Sequence, residues 1–120
     1  MQSVVTSKNG TVRGVSNLRP RYSELVNRWL RHYALTQEEA PGCLPRFKNE
    51  EERDNWAACH SVLKDYSTRD ANIIIQLYLP GDTMADKIYE MSKSMRLPQN
   101  ILWNLMRDTE RRIAQKRGLV

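Results

Sequence analysis

The chain has 120 residues, 40% hydrophobic and 28% charged, with a formal net charge of +5 and two cysteines. This length suits one domain that buries roughly two thirds of its unfolded surface, and no apolar run approaches the ~18 residues needed to cross a bilayer. The N-terminus MQSVVTSKNGTVRG lacks the apolar stretch of a secretory signal, so a cytoplasmic protein with no membrane partner is expected.

Residues 1–18 are polar, contain Gly10 and Gly14 and show no periodicity, which predicts a flexible arm. From Pro20 the pattern changes. Tyr22, Leu25, Val26, Trp29, Leu30 and Tyr33 recur at helical spacing and predict a first helix over 21–35. The stretch TQEEAPGCLPRF, with Pro41, Gly42 and Pro45, reads as a loop. Asn49 ahead of Glu50, Glu51 and Glu52 is an N-cap followed by acids that suit the helix dipole, and Trp56, Cys59, Leu63 and Tyr66 extend a second helix over 50–65. Ser67 with Asp70 forms a variant capping box for a short third helix bearing Ile73, Ile74, Leu77 and Tyr78. Pro80 and Gly81 end it. Ile73–Ile75 could also be strand, but no second strand exists to pair with it. A fourth helix starts near Thr83 with Met84, Ile88, Met91 and Met95 inward, and a fifth covers 98–117 and stops at Gly118. The expected fold is all-α: an orthogonal bundle of about five helices. It divides into the arm 1–18, a helical part 19–66 and a helix-turn-helix part 67–120, with one compact domain overall.

The informative pattern lies in residues 70–117. A helix-turn-helix needs two helices locked by a few apolar residues and one small one around the turn, leaving a polar face on the second helix. Met91, Ser92, Met95 and Leu97 have that spacing, and Pro98 suits the first position of a helix. At about 100° per residue, Leu102, Leu105, Met106, Thr109 and Ile113 gather on one side of the last helix, with Ile101 at the edge. The opposite side carries Asn100, Trp103, Asn104, Arg107 and Arg111, with Gln99 at the helix start and almost no acid. Asn and Gln pair with adenine and Arg with guanine or phosphate. The expected base readers are Gln99, Asn100, Asn104 and Arg107, and the expected phosphate contacts are Arg96, Arg111, Lys116 and Arg117. Trp103 is either DNA-facing or packed internally. Charge agrees with a polyanion partner: residues 1–36 hold six Lys/Arg and one acid, residues 37–70 five and eight, and residues 96–120 six and two. An amphipathic helix with a merely solvated polar face is the competing reading.

The run from Tyr66 to Leu119 resembles the C-terminal part of phage late transcriptional regulators of the RinA/ArpU type, whose helix-turn-helix is similar to region 4 of sigma-70 factors. The resemblance rests on IIIQLY, the turn PGD, the stretch Pro98–Gln99–Asn100–Ile101–Leu102–Trp103 and the ending IAQKRGLV. It implies a sequence-specific transcriptional regulator of phage or prophage origin, acting in a bacterial cytoplasm on double-stranded DNA, with RNA polymerase as a further partner. The chain departs from the pattern where Pro98 and Asn100 replace hydroxyl residues and where Arg96 replaces a glycine, which predicts a looser turn. The helix before the turn also reads about one turn longer than usual.

Two other classes compete. One is a helical protein-interaction adaptor using Trp29, Trp103 and the methionines; the other is a small phage DNA-packaging subunit. Helix 21–35 is apolar enough to form a homodimer face or equally to cap the core. An enzyme is not expected, since His32 and His60 fall in no constellation with a nucleophile and an acid. No cofactor is expected, because no Gly-rich phosphate loop occurs. Cys43 and Cys59 form no CxxC pair, and adjacent Cys59 and His60 diverge by about 100° on a helix, so no metal site is expected either.

Overall fold

A computed structural model describes residues 20–120. The arm expected at 1–18 lies outside the described residues, as does residue 19.

Helix α1 (Ser23–Glu39) runs four residues past the expected end at 35. Thr36, Gln37, Glu38 and Glu39 contain no breaker, and the chain leaves the helix only at Ala40, where the following Pro41 disfavours helical backbone. Its buried side is Val26, Leu30, Tyr33 and Ala34 together with the polar Ser23 and Asn27. The expected stripe is therefore rotated: Tyr22 and Trp29 are half-buried, and Leu25 is 40% exposed.

Helix α2 (Glu50–Leu63) is capped as its sequence predicts, with the Asn49 side chain accepting from Glu52 N–H at 2.9 Å. Glu52 in return accepts from the Lys48 N–H at 2.8 Å. The helix stops two residues before the expected 65. Helix α3 (Thr68–Tyr78) starts with Ser67 Oγ accepting from Asp70 N–H at 3.1 Å and buries Ile73, Ile74, Leu77 and Tyr78. Helix α4 (Met84–Met95) is capped by Thr83, which accepts from Asp86 N–H at 3.2 Å, and α5 (Gln99–Lys116) is the longest helix. Gly118, at φ 74°, lets the Leu119 N–H return to the Ala114 carbonyl at 2.9 Å, so the predicted glycine stop is a Schellman closure.

All five helices contribute to a single apolar cluster, an all-α bundle with no strand among the described residues. Helix α1 packs on α2, α3 and α5, and α5 in turn packs on α2, α3 and α4. At the α1–α2 end, Trp56 stacks on His60 with centroids 5.0 Å apart, touches Tyr33 and Phe47, and donates Nε1–H to Thr36 at 2.9 Å. No described helix is long and apolar enough to cross a membrane.

The core also holds polar joints. Glu110 of α5 is only 4% exposed and accepts hydrogen bonds from Ser23 Oγ of α1, at 2.7 Å, and from the Tyr78 hydroxyl of α3. Thr109 Oγ1 donates to the Leu105 carbonyl, so at 2.8 Å the Tyr66 hydroxyl is the donor in its bond to Thr109. Removing one donor from a buried carboxylate leaves acceptor capacity unmet, so Tyr78→Phe should cost about 1–3 kcal/mol in urea unfolding while helix content at zero urea stays unchanged. Burial pushes the Cys59 thiol up to about 12, whereas Cys43 is exposed. The folded chain should therefore titrate one thiol with Ellman's reagent, and the unfolded chain two.

Candidate nucleic-acid interface

Three residues, Arg96, Leu97 and Pro98, separate α4 from α5. The turn is built around Ser92, the small residue expected there. Its carbonyl accepts the N–H groups of Arg96 and Leu97, the latter at 3.1 Å, and its hydroxyl donates to the Leu97 carbonyl. Met91, Met95 and Leu97 pack against the core from the two sides of the turn. Arg96 adopts left-handed backbone, φ 56° and ψ 44°, where glycine is most comfortable. The looser turn expected from the missing glycine is not what forms: the chain closes the same turn with Arg96 in a conformation that costs an L-residue roughly 1–2 kcal/mol.

The start of α4 is fixed by Lys87, whose Nζ donates to the carbonyls of Leu77, at 3.3 Å, and Leu79 at the end of α3. Burial lowers the Lys87 pKa, with Arg31 adding to the effect and Asp82 opposing it.

Helix α5 buries Leu102, Met106, Thr109, Glu110, Ile113 and Ala114. Asn100, Asn104, Arg107 and Arg111 are exposed along the other side, with Gln99 exposed at its start and Lys116 at its end. Arg96 is exposed on the turn beside them. Unlike α2, α3 and α4, this helix has neither a side-chain cap nor an acid in its first turn, so the positive end of its dipole is not offset locally.

Three expectations need adjustment. Trp103 is half-buried and packed against the core beside Met106, because at 100° per residue it lies only 60° from the middle of the buried arc. It leaves the DNA-facing set. Arg117 is half-buried, and its Nε donates to Asn55 Oδ1 of α2 at 2.9 Å, which ties the end of α5 to the N-terminal half. The outer face is also less acid-free than expected. Asp108 pairs with Arg111 and, at 2.8 Å, with Arg112. Burial alone would raise the Asp108 pKa, but the hydrogen bonds and charges of the two arginines outweigh it and hold the carboxyl below its ordinary value. These pairs are thus complete above the usual carboxylate range and are lost only as pH falls through the lowered value.

Two large apolar side chains are also exposed on α4 and α5. Ile101, 45% exposed, adds an apolar side chain to the start of α5, and Tyr89, 49% exposed, stands on α4 with the Lys93 ammonium 5.1 Å from its ring centroid. Their apolar character alone reads as core, and only the roll of each helix reveals them as surface. Among the described residues no group of three or more His, Cys, Asp or Glu comes together to hold a metal ion.

No family model, no curated protein and no solved structure matches this chain.

Replacing Arg96 with glycine relieves the left-handed strain but raises the entropy of the unfolded chain. Arg96→Gly should therefore stabilise the fold by roughly 0.5–1 kcal/mol in thermal or urea unfolding, and Arg96→Val should destabilise it by at least as much.

Proposed function

We propose that this chain is a sequence-specific DNA-binding transcriptional regulator whose helix α5 enters the major groove. The observation that carries the reading is the combination, in one unit, of a three-residue turn closed by Ser92 and an exposed stripe of Asn100, Asn104, Arg107 and Arg111 on the second helix. Amide and guanidinium groups present paired donors and acceptors, or forked donors, that match adenine and guanine edges. Residues near the start of a recognition helix are the ones that reach base edges, which assigns base reading to Gln99, Asn100, Asn104 and, one turn on, Arg107.

Arg96 and Lys116 flank the stripe as phosphate contacts, and Arg111 joins them by exchanging part of its Asp108 pairing for a phosphate oxygen. Arg117 contributes only through the part of its guanidinium not committed to Asn55. The uncapped start of α5 favours an approaching phosphate in the same way. Ile101 offers contact to a thymine methyl group. The resemblance of residues 66–119 to RinA/ArpU-type regulators supports promoter DNA as the target and RNA polymerase as a further partner.

A duplex selected from random sequence should bind with a steep salt dependence. Arg107→Ala should weaken that complex by about 1–3 kcal/mol and relax preference at one position, whereas Lys116→Gln should lower the log–log salt slope by about 1 with little change in sequence preference. Fluorescence anisotropy across a salt series reads both. Unaltered affinity of the Arg107→Ala protein for its selected site would contradict the docking.

A further inference from the structure

A cleft of about 800 Å³ lies beside the proposed DNA face, walled by α1, the α3–α4 connection, α4 and α5, with Arg107 shared between the two. Its volume falls in the range of small-molecule sites, and its walls divide by chemistry. Met84, Trp103 and Met106 form an apolar wall. Arg31 and Lys87 stand near enough for their like charges to interact, and Arg107 lies at the boundary with the exposed stripe. Among the described residues neither Arg31 nor Arg107 has an ion-pair partner.

Two acids also line the cleft. Asp82 lies near Lys87, and Glu110 is engaged by Ser23 and Tyr78. Asn27 is the informative residue. It is 8% exposed, lines the cleft, and its Oδ1 is buried with no hydrogen-bond partner among the described residues. A buried amide oxygen without a donor costs about 1–3 kcal/mol, and most such groups in native proteins are satisfied. Polar residues normally leave the buried side of a helix, yet α1 keeps Asn27 there, against this cleft.

We propose that the cleft binds a small organic anion with a flat apolar body. The anionic group sits between Arg31 and Lys87, where it relieves their mutual repulsion. The body lies against Trp103, Met84 and Met106, and a rotation of the Asn27 side chain lets its Oδ1, closed off from solvent as it stands, accept from an N–H of the ligand. Hydrophobic contact supplies affinity and the cations select for charge. This site meets the DNA-reading stripe at Arg107 alone, and the inference does not rest on the DNA-binding reading.

The test uses the full chain, labelled with nitrogen-15, titrated with indole-3-acetate and, in parallel, with the neutral indole-3-acetamide, both of which carry a ring N–H for Asn27. One saturable site is expected for the anion in the micromolar to millimolar range, with shifts concentrated at Asn27, Arg31, Lys87 and the Trp103 indole. The neutral compound should bind about fivefold more weakly, as one modest charge interaction implies. Arg31→Gln, a change at an exposed position, should weaken the anion by a similar factor, and Lys64→Gln, on the surface of the α2 end, should leave it unchanged. Met84→Trp, which fills the cleft, should abolish binding while amide dispersion is retained. Equal binding of the two compounds, shifts scattered away from the cleft, or undiminished binding by the Arg31→Gln protein would each overturn the proposal.

Discussion

Helix α5 could roll about its axis within an apolar groove at little cost, because greasy contacts are not directional. The hydrogen bonds around Glu110 remove that freedom. Ser23 of α1 and Tyr78 of α3 both donate to one carboxylate on α5, so the angle of that side chain about the helix axis is set from two directions. Tyr66 donating to Thr109 and Arg117 donating to Asn55 act in the same sense further along. Burying a carboxyl group is costly unless it is well bonded. The same cost makes any rolled alternative, with Glu110 detached from its donors inside the core, far less stable. The exposed identity of Asn100, Asn104 and Arg111 follows from this constraint, since they lie away from the pinned side, with Arg107 at its margin.

The position of α5 along its axis and its angle to α4 depend on the other end, where Ser92 uses both its carbonyl and its hydroxyl to close the turn. Arg96 accepts left-handed backbone there, a local strain that the surrounding packing of Met91, Met95 and Leu97 sustains. In return a cation is held at the corner between the two helices, beside the amide stripe. Stability and the proposed phosphate contact thus pull in opposite directions at this residue, since a glycine would suit the backbone and remove the charge.

Much of the fold could be read from local chemistry. The N-caps Asn49, Ser67 and Thr83 each accept the predicted backbone N–H, and Gly118 ends α5 as its sequence implies, because caps and glycine stops act over three or four residues. What escaped were features decided by tertiary partners. The inward face of α1 is broader than its apolar stripe, because Ser23 and Asn27 are buried beside Val26, Leu30 and Tyr33, and polar residues are normally assigned outward. Glu110 gave no sign of being buried, since its partners Ser23 and Tyr78 lie 87 and 32 residues away in the chain. The amide and arginine types that define the proposed interface were visible in the sequence, but Trp103 sat between the two faces on a helical projection, and only its packing resolved the choice.

Orientation of α5 is what joins this architecture to a proposed role, and it can be tested on two side chains. The full chain, labelled with nitrogen-15, would be titrated with a duplex obtained by selection from random sequence, following the side-chain NH₂ signals of Asn100 and Asn104. Both should show large, saturable shifts, with the Trp103 indole signal moving little. Unmoved Asn100 and Asn104 signals in a complex that forms through other surfaces, or a selection that enriches no sequence, would contradict that role.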